Sequence, residues 1–191
     1  MVFSADSYYQ EKFAGLSAVK ESIKSRRFEE CQFDACSFID CRLDKCKFLN
    51  CKFNECILSA VVPMDCHFVE VKFSRCKAIG IDWTKAHKIE DLEFNECKIN
   101  YSNFKLLKLP KIKIVKCEAR EVDFIETDMS DGDFKHTDFE KSRFFKTDLT
   151  RADFTATVNY AIDVSTNTIK KARFSLPEAL SLLNSLDIII E

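Results

Sequence analysis

The chain has 191 residues, a formal net charge of −2 and a 46% apolar composition, which bounds it to one domain with a core of its own. No apolar run approaches the roughly 18 residues of a membrane-spanning helix, and MVFSADSYYQEKF lacks the basic and apolar parts of a secretory signal; a cytoplasmic protein is expected. The composition is skewed to 18 Phe and 10 Cys against three Gly and three Pro, so disulfides, a metal site and a packing role must be weighed for the cysteines.

Residues 1–25 stand apart from the pattern that follows. In AGLSAVKESIKS, Leu16, Val19 and Ile23 fall at helix-like spacing, so a short helix or irregular strand is expected to cap one end of the fold.

Beyond it runs a period of five. Cysteine recurs at 31, 36, 41, 46, 51 and 56, and two residues after each comes Phe33, Phe38, Leu43, Phe48, Phe53 or Leu58. A helix would walk this pattern around its axis, and a flat strand would throw successive large residues to opposite faces, because five is odd. Both apolar residues of each unit share one interior only if the chain turns between units, which is a solenoid sealed coil upon coil. All ten cysteines occupy the small inward position and none forms a C-x2-C pair, so they are expected as reduced core fillers, with no metal and no cofactor.

The large position continues through Pro63, Phe68, Phe73, Ala78 and Trp83, making a first tower of residues 26–83. Pro63 has no ladder hydrogen to give, so that side should be locally irregular. The next large residue, Phe94, lies eleven residues beyond Trp83 where ten are due, so one extra residue lies within 84–93, with Ile89 turned inward. A kink between towers is expected there, as at a bulge. The second tower, 94–174, runs through Ile99, Phe104, Leu109, Ile114, Ala119, Phe124, Met129, Phe134, Phe139, Phe144, Leu149 and Phe154.

Residues 175–191 read as an amphipathic helix and a short terminal strand at 188–190. Ser175 and Glu178 have capping-box spacing, with Pro177 in the first turn. Leu176, Leu180, Leu182, Leu183 and Leu186, with Ile188 and Ile190, exceed what one small end surface needs, so an isologous homodimer through this end is expected.

Outside the core, charge is unevenly placed. Residues 99–117 carry Lys105, Lys108, Lys111, Lys113 and Lys116 and no acid, whereas residues 118–153 carry eleven acids and six bases. Asp123, Asp128, Asp133, Asp138, Asp148 and Asp153 all precede a large residue and should point outward. If residues 20 apart are axial neighbours, Asp128 stacks on Asp148 and Asp133 on Asp153. Such columns either suit the turn-rich backbone or form an anionic surface that competes for a DNA-binding groove. His67, His87 and His136 are scattered, and no nucleophile–base set or phosphate loop occurs, so catalysis is not expected.

The period resembles the pentapeptide-repeat family, A(D/N)LXX. That resemblance implies an all-β solenoid, a right-handed quadrilateral β-helix with four pentapeptides per coil, closed by a short C-terminal α-helix. KAIGIDW, the ending IDVSTNTIKKARFSLPEALSLLNSLDIII and the length resemble the branch of Qnr-type quinolone-resistance and microcin-immunity proteins. It implies a C-terminal homodimer that mimics DNA, contacts DNA gyrase or topoisomerase IV and counters a poison, without touching nucleic acid or membrane. A scaffold for some other protein partner is the alternative.

Overall fold

The structure, a computed structural model, describes residues 2–186 and Ile188. The chain winds into a four-sided parallel β-solenoid of about eight coils. Residues 20 apart, or 21 across one step, are paired on all four faces. Face A stacks Ser7–Tyr9, Arg27–Glu29, Lys47–Leu49, His67–Val69 and Lys88–Glu90. Face B stacks Lys12–Ala14, Gln32–Asp34, Lys52–Asn54, Lys72–Ser74, Glu93–Asn95 and Lys113–Val115. Face C begins with Ser17–Val19, Ser37–Ile39 and Ile57–Ser59, and face D with Ser22–Lys24, Arg42–Asp44 and Val62–Met64. Higher up, single bridges continue the same columns, from Lys77 with Lys98 to Asp148 with Thr168.

The lattice therefore begins at Ser7, which corrects the expected cap over residues 1–25. Tyr8, Phe13, Ala18 and Ile23 hold the large inward position of a full first coil. Val19 is 54% exposed while Ala18 is buried, so the helical spacing of Leu16, Val19 and Ile23 was coincidental. Phe3 plugs the open end, its ring 4.9 Å from that of Phe28 and 5.4 Å from that of Phe13.

Inside, the rings form columns. Phe13, Phe33, Phe53, Phe73 and Phe94 stack at 5.0, 4.5, 4.9 and 5.0 Å between centroids. These are offset-stacking distances, which add to the burial each ring already contributes. Phe38 lies between Ala18 and Leu58 in its column and has no ring above or below it on that face. All ten cysteines are free and buried. Their thiols donate to carbonyls of their own coil and the coil below, as Cys56 does to Asn54 and Phe33, both at 3.3 Å. At Gly132 even a thiol would not fit, since an added Cβ would stand 2.5 Å from the Phe134 ring.

The frame slip is a 3₁₀ turn, Trp83–Lys85, which begins one residue before the expected 84–93 region and overlaps its start. Asp82 caps it, accepting from the Thr84 N–H. Across the step, the bond spacing changes from Ala60 N to Ile79 O to Asp65 N to Lys85 O, so the extra residue lies between 79 and 85. Pro63 is paired in register with Leu43 below, contrary to the expected irregularity; the ladder is lost on its other side, where this turn sits. Ile89 does occupy the large position, opposite Phe68, but only half-buried.

At the C-terminus, Arg173–Phe174 pairs with Asp153–Phe154. The expected α-helix is a 3₁₀ helix, Glu178–Ser185, with no side-chain cap bond. Ser175 is committed elsewhere: its hydroxyl accepts from the Ala156 N–H at 2.8 Å. No helix is long and apolar enough to cross a membrane among the described residues.

Two outcomes test this interior. Phe53→Ala removes a ring stacked on both sides and should cost about 3–5 kcal/mol in a denaturant titration. All ten thiols are buried, so a thiol reagent at neutral pH should label none of them until the chain unfolds.

Candidate functional site

The chemistry-bearing side chains outside the core are the aspartates of the second tower, and their placement starts with the backbone. Each precedes an inward large residue, at a bend where an Asp carboxylate can accept the N–H two residues on. Asp128 takes Ser130 at 3.0 Å, Asp133 takes Lys135 at 3.3 Å and Asp138 takes Glu140 at 3.0 Å. Asp148 takes Thr150 at 2.9 Å and Asp153 takes Thr155 at 3.0 Å. These bonds fix the corner in the absence of a three-residue strand.

The structure does stack Asp128 beneath Asp148 on face A and Asp133 beneath Asp153 on face B. It does not make a uniform acidic surface. Asp123 and Asp153 are buried, which corrects the expectation that all six point outward. Asp123 is ion-paired with Arg143 and, at 2.6 Å, with Lys105, while its Oδ1 has no partner. Lys135 bridges Asp133 and Asp153 at 3.2 and 3.4 Å, Arg173 adds to Asp153 at 3.2 Å, and Arg120 holds Asp138 at 2.8 Å. Burial alone would raise Asp138; hydrogen bonds from Asn159 and Arg120 outweigh it and keep the carboxyl below its usual range. Among the described residues, only Asp128 and Asp148 of the six have no ion pair. Exposed pairs of this kind contribute between zero and about 1 kcal/mol each, so their main effect is to cancel field.

The other candidate surface is the C-terminal end. Leu176 is 77% and Leu180 54% exposed, and Leu186 and Ile188 are exposed beside them. Leu182 packs against the core and Leu183 is half-buried, so these two serve the coil end as well. Ile190 lies outside the described residues. Among these residues, no three His, Cys, Asp or Glu side chains converge as a metal site would require.

Sequence reasoning missed one feature of face A. The pairing that runs from Ser7 to Thr168 is broken once, between 88–90 and 108–110, where Pro110 stands. The signal was a proline beside a large position, the rule already applied to Pro63.

Two family models match the chain, "Pentapeptide repeat region" over residues 26–104 and "Pentapeptide repeats (8 copies)" over residues 117–157. Together they cover more than half of it. Among solved structures, a trypsin-treated variant of QnrB1, a plasmid-mediated fluoroquinolone resistance protein, is similar with TM-score 0.73 and 16% identity, covering 98% of this chain and 100% of that one. A second trypsin-treated QnrB1 variant gives 0.59 and 17%, covering 94% and 100%. HetL, a pentapeptide repeat protein involved in heterocyst differentiation regulation from the cyanobacterium Nostoc, gives 0.47 and 8%, covering 87% and 86%. No curated protein sequence matches the chain.

The carboxylates make a testable contribution to stability. Asp34, Asp138 and Asp153 all sit below the ordinary value of 3.8. Depressed folded values mean their stabilisation is complete above about pH 4 and is lost as pH falls through the folded values. Asp153→Asn should therefore shrink the fall in stability below pH 4, measured by urea titrations at stepped pH.

Proposed function

The chain belongs to the pentapeptide-repeat family, and we propose that it is a non-catalytic, homodimeric rod that binds a type II topoisomerase, DNA gyrase or topoisomerase IV, and protects it from a poison. The observation that carries this reading is the end-to-end correspondence with a fluoroquinolone resistance protein, which covers nearly the whole of both chains. A fold shared at 16% identity does not itself fix a function, so the reading also draws on the surfaces.

Two features support it. Asp128 and Asp148 sit on adjacent rungs of face A without neutralising partners, an acidic pair that can face the basic groove of a DNA-binding enzyme. The exposed leucines 176 and 180 offer the self-complementary apolar patch that an isologous dimer needs. In a dimer joined there, the acidic coils of both subunits flank the two-fold.

The second reading, a scaffold for a different protein partner, is favoured by the ion pairs. Arg120, Lys135, Arg143 and Arg173 neutralise four of the six aspartates, so the acidic strip is interrupted where a DNA mimic would need it continuous.

A gyrase supercoiling assay with and without a quinolone separates the readings. Protection predicts that micromolar protein restores supercoiling and lowers drug-induced cleavage, and that Asp128→Lys with Asp148→Lys removes this while the fold persists. Unchanged cleavage at that concentration would leave the scaffold reading. Leu176→Asp with Leu180→Asp, both solvent-facing in the subunit, should convert dimers to folded monomers in sedimentation; a surviving dimer would sink the C-terminal interface.

A further inference from the structure

Face D of the second tower combines an apolar stripe with an ordered set of charges. Asp82, Asn103, Asp123 and Arg143 bridge in turn up its middle, over the stacked rings of Trp83, Phe104, Phe124 and Phe144. Its outer surface is partly apolar: Leu106 is 70% and Phe145 44% exposed, and Ile125 between them is half-buried. The three are contiguous, since the Leu106 N–H donates to the Ile125 carbonyl at 3.0 Å and the Glu126 N–H to the Phe145 carbonyl at 2.8 Å.

A corner residue with left-handed backbone stands at each edge of these coils. In the coil 121–126 both corners are acids, Glu121 and Glu126; in the coil 141–146 both are bases, Lys141 and Lys146. The subunit leaves these charges almost uncompensated. Among the described residues Glu121, Glu126 and Lys146 have no ion pair, Lys141 reaches only Glu140, at 3.8 Å, and Lys146 lies 5.4 Å from the centre of the Phe145 ring. Between the corners, Asp123 beneath Arg143 repeats the order of acid under base.

That order is self-complementary. A two-fold axis lying across the face, parallel to its strands and midway between the two coils, sets each residue opposite the one 20 later on a second copy. Glu121 then meets Lys141, Asp123 meets Arg143, Ile125 meets Phe145 and Glu126 meets Lys146, each contact made twice, as in any isologous interface. The other three faces fail the same operation. It would set Asp128 against Asp148 on face A, Asp133 against Asp153 on face B and Glu118 against Asp138 on face C, and like charges brought together oppose association.

We infer that face D of the second tower is a self-association surface whose occupant is a second copy of this chain, the two rods lying side by side and antiparallel. The contacts between Ile125 and Phe145 supply burial, and the corner acid–base pairs fix the register. Two coils per copy make a contact smaller than the ~800 Å² per partner of a stable interface, so the association is weak and contributes no dimer at micromolar concentration. The surface is distinct from the leucine end and does not depend on the topoisomerase reading.

The test uses the full-length chain carrying Leu176→Asp and Leu180→Asp, so that lateral association alone is read, in sedimentation equilibrium from about 50 µM to about 1 mM at low salt. The mean mass should climb toward that of a dimer across this range. Glu121→Lys with Glu126→Lys, or Lys141→Glu with Lys146→Glu, should each weaken association at least about tenfold. Glu30 and Lys45 already stand at such corners, so both variants keep the fold. An equal mixture of the two variants should associate again, because every corner pair is restored between unlike copies. A mean mass that stays monomeric at about 1 mM in the parent would overturn the proposal and leave the face to a different partner. Variants that self-associate as the parent does, or a mixture no heavier than its components, would overturn it equally.

Discussion

Everything in this rod depends on one residue in five adopting a left-handed backbone. From Gln10 to Ala156 the corner residues have φ between about +49° and +68°, and only Gly15 and Gly80 among them are glycines. For an L-residue this conformation costs about 1–2 kcal/mol. The chain accepts that cost at Lys, Glu, Tyr101 and Leu106 because nothing else turns it by a right angle every five residues. The turn is what brings two apolar side chains per unit into a common interior, and coil-on-coil hydrogen bonding then satisfies the backbone that the corner strands. The inward residues could be almost anything small and large. The corner could not be dispensed with.

The frame slip follows from the same constraint. Positive φ is found at Arg75 and Gly80 and again at Asp91, but the corner between them is missing; Ala86 has φ −72°. A 3₁₀ turn does the work instead, and a right-handed turn consumes one more residue than a left-handed corner. Pro63 and the turn are adjacent for a reason: a rung without an N–H loses least by lying under a coil that has left the ladder.

The fold was legible because its period is short and its core chemistry loud. Cysteine two before phenylalanine, repeated without slippage, places the interior and sorts inward from outward positions. The same period reaches back through Ile23, Ala18, Phe13 and Tyr8, yet the small Ala18 and the exposed Val19 made a helix look as good there. At the other end Ser175 and Glu178 have the spacing of a cap, but the Ser175 hydroxyl bonds a neighbouring coil, a tertiary claim that no local pattern reveals. The aspartates show the limit for the surface. Their stacking was legible from the 20-residue rise, whereas their neutralisation depends on Arg120, Lys135, Arg143 and Arg173, whose long side chains reach neighbours in ways spacing does not specify.

A closed solenoid presents few chemical opportunities. Its faces are paired, its thiols are turned inward, and its ends are plugged by Phe3 on one side and overlaid by a leucine-bearing 3₁₀ helix on the other. Selection for binding therefore has two places to act: on outward side chains, where charge can be added without cost to the core, and on the few rungs where the ladder is interrupted. Five of the six aspartates serve the backbone, each holding an N–H two residues on, and among the described residues only Asp128 and Asp148 of the six are without an ion pair. The interrupted rungs are different in kind. At Pro63 the gap is filled by the chain's own turn. At Pro110 the rung is left unbridged, and Ile89 is half-buried, the one large position from 28 to 154 that is not fully covered.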